Sequence, residues 1–208
     1  MPHPWFSIRL IHPEAEACAA LEAGFAGLER VSVEQTRYDA LADHHCFVTA
    51  GNAYGLMTAG IDAAVIHRFG PSLMRAVQDH ISNEYFGEQP VGSAFVIATG
   101  DASRPWICHA PTMRMPSSIT GTSHVYTATL AALIAIHRHN LSHDPVIESV
   151  VFPAMGTGFG AMAFDEAARQ MAVAYRHYLR PSGRPTWDSA IARERAICYA
   201  GETKVVRI

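Results

Sequence analysis

Two glycine-rich segments, each between an apolar strand and a helix, constrain the fold of this chain more than any other feature. The first spans 48–62, following the apolar run Cys46–Thr49 and leading into a helical pattern. The second spans 156–160, after an apolar run at 146–153 and before another helical pattern. Glycine lets the backbone approach a ligand closely, and the amides at a helix start bind anions. The two segments therefore predict one cleft for an anionic small molecule.

Strands and helices alternate along the sequence around these segments. Apolar or alternating runs predict strands at 5–11, 30–34, 46–49, 92–99, 105–111 and 146–153. Helical patterns lie at 13–29, 61–68, 73–81, 122–139 and 165–179. This order predicts an α/β fold, a three-layer α/β/α sandwich with a mixed sheet, in which ligands bind beyond the carboxyl ends of the strands.

We expect residues 1–208 to form one domain. The core motifs fall within 28–180, and 181–208 is predicted to be a C-terminal extension with a helix and a closing strand at 204–208. Hydrophobic residues make up 49% of the 208, which suffices for one packed core. The formal net charge of -3 provides no strong global field toward nucleic acid or anionic membranes, so an anionic ligand would be held by backbone amides.

The cysteines and the N-terminal segment indicate the compartment. Cys18, Cys46, Cys108 and Cys198 are widely spaced and form no CxxC pair, which predicts reduced thiols rather than disulfides or a zinc knuckle. The N-terminal segment lacks the pattern of a signal peptide, and no run of about 18 apolar residues could span a membrane. We expect a cytoplasmic protein with no membrane partner.

Twelve histidines raise the question of a metal site. His44 and His45 are adjacent in a strand and point to opposite faces, and His137 and His139, two apart on a helix, diverge as well. Neither these groups nor His143 has the HExxH spacing of a helical zinc site. We expect no metal and no cofactor.

The segment 156–161, Gly-Thr-Gly-Phe-Gly-Ala, also satisfies the GxGxxG/A dinucleotide pattern. That pattern belongs after the first strand of a βαβ unit, with an acidic residue about 20 positions later at the end of the next strand. Here it comes late in the chain, and the corresponding position lies in the linker 180–185. These two departures exclude a Rossmann oxidoreductase.

Taken together, the two segments resemble the macro domain, the ADP-ribose-binding family. The first macro motif has an Asn after a strand, a glycine-rich stretch, an Asp and a short helix ending in Gly, and Asn52, Asp62 and Gly70 match it without a gap. The second motif matches Phe-Pro-Ala-Met-Gly-Thr-Gly-Phe-Gly at 152–160, and Trp-Ile-Cys-His-Ala-Pro at 106–111 matches the family's Val-Ile-His strand. The similarity spans about 28–180 and is closest to a divergent bacterial or phage-associated subgroup.

The resemblance implies a ligand, ADP-ribose or an ADP-ribosylated macromolecule, and roles for particular residues. Asn52 would contact the distal ribose, and Asp62 matches the carboxylate that hydrolysing members use together with this Asn. The diphosphate would be held by the first loop and by the second. The implied ligand-binding residues are Gly51, Gly60, Ile61, Gly156, Thr157, Gly158, Phe159 and Gly160.

The sequence departs from the family pattern at three points. The run of glycines before the Asp is replaced by Met-Thr-Ala-Gly at 57–60, which is expected to narrow the space for a ribose. The second Asn of the common Asn-Ala-Ala-Asn pattern is Thr49 in this sequence. The aspartate that reads adenine is absent after the second strand, and either Glu34 or Asp39 could replace it.

Each of the principal residues also has an ordinary structural explanation. Asp62 could be a helix N-cap or first-turn acid, and Asn52 a turn residue, because Asn tolerates turn conformations. Phe159 could be a core aromatic, although its flanking glycines favour exposure. Cys46 and Cys108 lie in apolar strands and are expected to be small core residues.

Three functions fit these observations. The first is an ADP-ribosyl hydrolase that cleaves a glycosidic or ester linkage, with Asp62 and Asn52 in the catalytic roles. The second is a module that binds ADP-ribose or a related nucleotide without cleaving it. The third is a structural protein that retains the fold after losing the ligand, and blockage of the cleft by Met57 or Tyr54 would favour it.

Overall fold

In the computed structural model, which describes residues 6–144, 146–181 and 183–202, six strands form one sheet. The strands are β1 Ser7–His12, β2 Val31–Gln35, β3 Cys46–Thr49, β4 Phe95–Ala98, β5 Trp106–His109 and β6 Ser149–Pro153. Their spatial order is β2-β1-β6-β3-β5-β4. Every neighbouring pair is parallel except β4 and β5, so the sheet is mixed, as predicted.

Helices cover both faces of this sheet. They are α1 Ala15–Gly24, α2 Gly60–Phe69, α3 Pro71–Tyr85, α4 His124–Ser142, α5 Phe164–Leu179 and α6 Trp187–Ile197. Side chains alternate along β3: Cys46 and Val48 pack in the core with α1, α4 and α5, whereas Phe47 packs with α2 and α3 on the opposite face. This alternation gives two cores and confirms the three-layer α/β/α sandwich.

The strand order brings the two glycine-rich segments together. β6 pairs with β3 on one side and with β1 on the other, and all three strands are parallel. The segments that follow them therefore leave the sheet at the same edge, side by side. Helix α2 then begins at this edge, and the segment 50–59 connects it to β3.

Most element bounds differ from the predicted ones, and helix α1, expected over 13–29, spans only Ala15–Gly24. Two of the differences have identifiable reasons. The strand expected at 146–153 begins at Ser149, because the backbone of Ile147 is hydrogen-bonded to the Asn140 side chain instead of to a neighbouring strand. Asn140 Nδ2 donates to the Ile147 carbonyl and Oδ1 accepts from the Ile147 amide, both at 2.8 Å. The helix expected at 73–81 begins at Pro71, which is favoured in the first helical turn.

The C-terminal extension contains the predicted helix, α6, which begins with a capping box between Thr186 and Ser189. The strand predicted at 204–208 lies outside the described residues. Helix α6 is attached to α5 through Arg169, whose guanidinium donates to the carbonyl oxygens of Ala196 and Cys198, each at 2.7 Å.

None of the helices in the described ranges combines the length and apolar character that a membrane crossing requires. Cys18, Cys46 and Cys108 are buried free thiols. Burial raises the pKa of the Cys46 and Cys108 thiols well above the usual range, so both are unreactive core residues.

Candidate functional site

A cleft of about 450 Å³ opens at the carboxyl edge of the parallel strands. Its walls come from the segments that follow β1, β2, β3, β5 and β6, and its volume suits a ligand of small-molecule size. The ten residues predicted for the site all line it: Gly51, Asn52, Gly60, Ile61, Asp62, Gly156, Thr157, Gly158, Phe159 and Gly160.

The start of helix α2 forms one anion-binding wall. The helix begins at Gly60, whose φ of 58° lies in the left-handed region, and its N-cap is Ala59, which has no side-chain group to satisfy the first amides. The first backbone N–H groups of a helix have no partner within the helix. Since Gly60, Ile61 and Asp62 all line the cleft, these amides are available to a phosphate.

The second loop forms the opposite wall and is held in a tight conformation. Gly156 has a φ of 76°, and a β-carbon there would lie 2.8 Å from both Ile119 Cδ1 and Val125 Cγ2. A β-carbon on Gly160 would lie 2.3 Å from the Gly156 carbonyl oxygen. Within the described chain, the backbone hydrogen bonds of loops and turns use none of the amides of 157–160. The loop thus presents a fixed row of donors of the kind that binds phosphate.

Phe159 extends from this second loop with 60% of its surface exposed. This exposure excludes the alternative that Phe159 is an aromatic residue of the core. Its ring reaches across to the first loop, where Cε2 would lie 3.8 Å from a β-carbon on Gly60. Phe159 therefore lies over the gap between the two anion-binding walls.

Asn52 organises the first loop with its side chain. Its Oδ1 accepts from the amides of Tyr54, at 3.1 Å, and of Leu56, at 3.2 Å. Its Nδ2 donates to the Leu56 carbonyl at 2.9 Å. One N–H of the side-chain amide is left for a ligand, because Nδ2 carries two hydrogens. Asn52 therefore stabilises the turn, as its ordinary structural explanation predicts, and it also lines the cleft.

Asp62 is the buried acid of the cleft, with 6% of its surface exposed. It does not cap helix α2, since the N-cap is Ala59 and has no side-chain hydrogen bond. Its Oδ1 has no hydrogen-bond partner within the described residues. Burial raises the pKa of Asp62 to about 7, with no charged neighbour contributing. An unpartnered carboxyl with such a pKa is suited to proton transfer near neutral pH.

His109, at the end of β5, is a site residue to which the sequence interpretation assigned no role. It is fully buried, and its Nδ1 lies 2.7 Å from Gln89 Oε1. A β-carbon placed on Gly51 would lie 2.6 Å from His109 Nε2 and 3.1 Å from Asp62 Oδ2. The imidazole and the carboxyl therefore flank Gly51. The available signal was a histidine at the carboxyl end of an otherwise apolar strand, beside the first glycine-rich loop.

The far end of the cleft is lined by the segment after β2, which includes Arg37, Tyr38 and Asp39. Of the two acids considered for reading a base, Asp39 lines the cleft. Glu34 does not, and it forms an ion pair with Arg9 at 3.5 Å. The structure therefore brings Asp39, and not Glu34, together with the other predicted residues.

Of the segment 57–60, which is expected to narrow the space for a ribose, Met57 alone does not line the cleft. Met57 is 1% exposed and packs in the core with α2 and α3, while Thr58 and Ala59 face the cleft. Tyr54 also lies outside the lining and donates from its hydroxyl to Glu88 at 3.0 Å. Neither side chain blocks the cleft, which removes the observation that would have favoured a structural protein.

A metal site would need several His, Cys, Asp or Glu side chains close together among the described residues. In that part of the chain, no three His, Cys, Asp or Glu side chains are grouped so that they could hold a metal ion. His139 and His143 stack on each other with ring centroids 4.2 Å apart, and His139 also contacts Trp106.

Comparison with known proteins gives a consistent assignment. The family model described as Macro domain matches residues 48–171. A protein of Aquifex aeolicus is 33% identical over 138 residues, covering 65% of this chain and 75% of that protein. A protein of Aeropyrum pernix is 36% identical over 85 residues, covering 41% of this chain and 42% of that protein. The match therefore spans less than half of that relative. A Streptomyces griseus protein named as macro domain-containing is 27% identical over 125 residues, covering 59% of this chain and 66% of its own length.

Two solved structures have the same fold. A variant of the Oceanobacillus iheyensis macrodomain with ADPR superposes with a TM-score of 0.55 at 24% identity, covering 67% of this chain and 73% of that one. The macrodomain of Mycobacterium tuberculosis DarG superposes with a TM-score of 0.55 at 23% identity, covering 65% of this chain and 84% of that one. At these identities the likeness is one of fold.

Proposed function

This chain belongs to the macro domain family, and on that premise we propose that it binds ADP-ribose in the cleft and hydrolyses an ADP-ribosyl linkage there. The observation that carries the proposal is the placement of Asp62. A buried, unpartnered carboxyl stands in the first turn of a helix whose free amides line the same cleft. One end of the ligand would be held by backbone donors while the other meets a group able to accept a proton.

The diphosphate would lie between the start of α2 and the second loop. Both walls offer backbone N–H groups, which bind anions without the cost of burying a lysine or arginine. This matches the net charge of -3, because no strongly basic surface is required. Phe159 would cover the ligand with its aromatic face, and Asp39 would lie near the base.

Catalysis would occur beside Asp62 and Asn52. A water molecule would attack the anomeric carbon of the distal ribose, or the carbonyl carbon of an ester, and lose its proton to the Asp62 carboxylate. The bond to the leaving group breaks, and solvent protonates that group. Only the carboxylate form can accept the proton, so turnover should rise with pH through the pKa of Asp62, about 7.

A second candidate is a module that binds ADP-ribose without cleaving it. The observation that favours it is the engagement of Asn52, whose Oδ1 is fully used within its own loop and whose Nδ2 is partly used. An amide committed to the loop has less capacity to orient a substrate. Saturable binding without product release would support this candidate over the hydrolase.

We also propose that residues 1–208 form a single domain with 181–208 as its extension. The attachment of α6 to α5 supports this arrangement, because the Arg169 guanidinium also forms a bidentate ion pair with Glu166, with both N–O distances at 2.7 Å. That pair holds the arginine toward the carbonyls at the end of α6.

Two measurements test the function. Calorimetric titration with ADP-ribose, and with AMP and NAD as comparators, should show selective micromolar binding, about -8 kcal/mol. A hydrolysis assay with ADP-ribosylated protein should then show turnover that Asp62→Ala abolishes while binding persists. Asp43→Ala, at an exposed carboxylate outside the cleft, is the matched control. Wild-type turnover in Asp62→Ala would refute the role of Asp62, and no binding of any of the three nucleotides would refute the ligand.

A further inference from the structure

Two buried polar groups face the same point beside Gly51. His109 Nε2 lies 2.6 Å, and Asp62 Oδ2 3.1 Å, from the position that a β-carbon on Gly51 would occupy. His109 Nε2 and Asp62 Oδ1 have no hydrogen-bond partner among the described residues, although both side chains are more than nine-tenths buried. A buried polar group without a partner is costly, so this arrangement requires a functional explanation.

Gln89 determines which nitrogen of His109 carries the proton. Gln89 is fully buried, and its Nε2 donates to the His109 carbonyl at 3.4 Å. This orients Oε1 toward His109 Nδ1, 2.7 Å away. An amide oxygen only accepts, so Nδ1 carries the hydrogen and Nε2 presents a lone pair. Burial, and then the charge of His80 on α3, lower the pKa of His109 to about 4, which keeps the ring neutral near neutral pH.

A carboxylate and an imine nitrogen are both acceptors, so they cannot satisfy each other. A molecule that donates two hydrogen bonds can satisfy both, and water is the smallest such donor. Thr49 is the direct cross-strand partner of His109 in the β3–β5 register, and its buried Oγ1 also has no partner among the described residues. A water that bridges His109 Nε2 and the Asp62 carboxyl would give both groups the hydrogen-bond partner that they lack.

We propose that His109, oriented by Gln89, is a positioning residue that binds one water molecule together with Asp62 and so stabilises the carboxylate form of that acid. The hydrogen donated by the water to Asp62 favours its charged state. His109 does not line the cleft, so it acts through Asp62 rather than on the ligand. The effect on turnover rests on the proposed hydrolase function, whereas the water site itself does not.

No charged group of the described chain near Asp62 accounts for stabilisation of its carboxylate form, so the proposed water would be its principal stabilising partner. Burial accounts for its raised pKa, and no ion pair joins it to a described cation. His109 faces it from β5, and His80 faces His109 from α3. Arg37 and Asp39 line the same cleft from the segment after β2, and the second loop, 156–160, contributes no charge.

The matched variants are His109→Gln and His109→Asn, and the readout is the pKa of Asp62 from carboxyl-carbon NMR of the free protein. A glutamine amide reaches the position of Nε2 and keeps a partner for the water. An asparagine amide reaches only the position of Nδ1 and keeps the bond to Gln89. We expect His109→Asn to raise the pKa of Asp62 by about one pH unit and His109→Gln to restore it nearly to the wild-type value. The acidic limb of the pH profile of turnover should shift in the same direction as the pKa of Asp62.

Controls separate this role from a structural one. His139→Asn removes another buried histidine, one that meets Trp106 edge to face away from the cleft, and should leave the pKa of Asp62 unchanged. Gln89→Met tests the proposal if His109→Asn fails to fold. Without the Gln89 oxygen, Nε2 can carry the hydrogen and donate it to the water, which strengthens the hydrogen bond from the water to Asp62, so the pKa of Asp62 should fall.

The outcomes are distinct from those of the function test. Equal pKa shifts in His109→Gln and His109→Asn, or none in either, would overturn the proposal. A protein that binds ADP-ribose without turnover would refute the hydrolase while the NMR titration still decides the role of His109. Conversely, the protein could show turnover while neither His109 variant changes the pKa of Asp62. That result would support the hydrolase and refute the positioning role of His109.

Discussion

Phe159 lies against Gly60, with its Cε2 3.8 Å from the place of a β-carbon on that glycine. The two glycine-rich loops thus meet at one contact between an aromatic ring and a residue without a side chain. Gly60 also begins helix α2, so the ring stands directly beside the amides of the first helical turn. A ligand held by those amides would lie beneath the ring.

Phe159→Ala should weaken ADP-ribose binding about tenfold, or roughly 1.4 kcal/mol, because an aromatic face contributes about this much to a stacked contact. The ring is largely exposed, so stability should change little. Phe86→Ala is the matched control, because Phe86 is 97% exposed and lies outside the cleft. Calorimetric titration of both variants checks this. Equal affinities in the two would show that Phe159 does not cover the ligand.

Gly51→Ala should destabilise the protein by about 1–3 kcal/mol, since a buried site without space must shift its neighbours. The added carbon would lie 2.6 Å from His109 Nε2, on a ring that β5 and Gln89 hold in place. Gly158→Ala, in the same cleft, adds a carbon with no atom within 4 Å and should remain within about 1 kcal/mol of wild type. Urea unfolding measures both, and equal stabilities would contradict the packing described around Gly51.

Asp62→Asn should change how stability depends on pH. The Asp62 carboxyl has a pKa of about 7 in the folded protein, against a reference value of 3.8. Between these values the folded state keeps a proton that the unfolded state has lost, so wild-type stability falls as pH rises from about 4 to about 7. The loss is on the order of 4 kcal/mol above the folded pKa. Asparagine never ionises, so the variant should lack this decline.

The comparison for that titration is Asp43→Asn, which alters an exposed carboxylate and should retain the wild-type decline. Urea unfolding across this pH range gives both curves. Parallel curves for wild type and Asp62→Asn would mean that Asp62 is not the group whose burial opposes its ionisation.

Asp39→Ala should weaken binding of ADP-ribose but not of ribose 5-phosphate, because only the former carries a base to reach the segment after β2. Glu34→Ala should change neither, since Glu34 pairs with Arg9 outside the cleft. An exposed polar contact contributes about 0.5–1.5 kcal/mol, so the expected loss is roughly two- to tenfold. Loss of affinity for both ligands in Asp39→Ala would place the base elsewhere.

The sequence predicted the layers, the mixed sheet and the cleft because glycine spacing and strand composition are local properties. The ten residues that it predicted from the two loops are among those that line the cleft. The direction of Met57 and the choice between Glu34 and Asp39 could not be predicted, since each depends on which element packs beside the residue. His109 could not be assigned for the same reason. Its relation to Asp62 arises from the adjacency of β3 and β5 and from the absent side chain of Gly51.

The two anion-binding walls are built from main-chain amides, and this affects how the protein can change over time. A substitution alters a side chain but leaves the amide in place, so most replacements in 57–60 or 156–160 would spare the donors while reshaping the rest of the cleft. Proline would remove a donor outright, and a side chain at Gly60, Gly156 or Gly160 would displace the donors by straining or crowding the backbone. The proposed recognition of the phosphates would therefore persist through extensive sequence drift, while preference for the attached group would change through neighbours such as Thr58 and Met115, which line the same cleft.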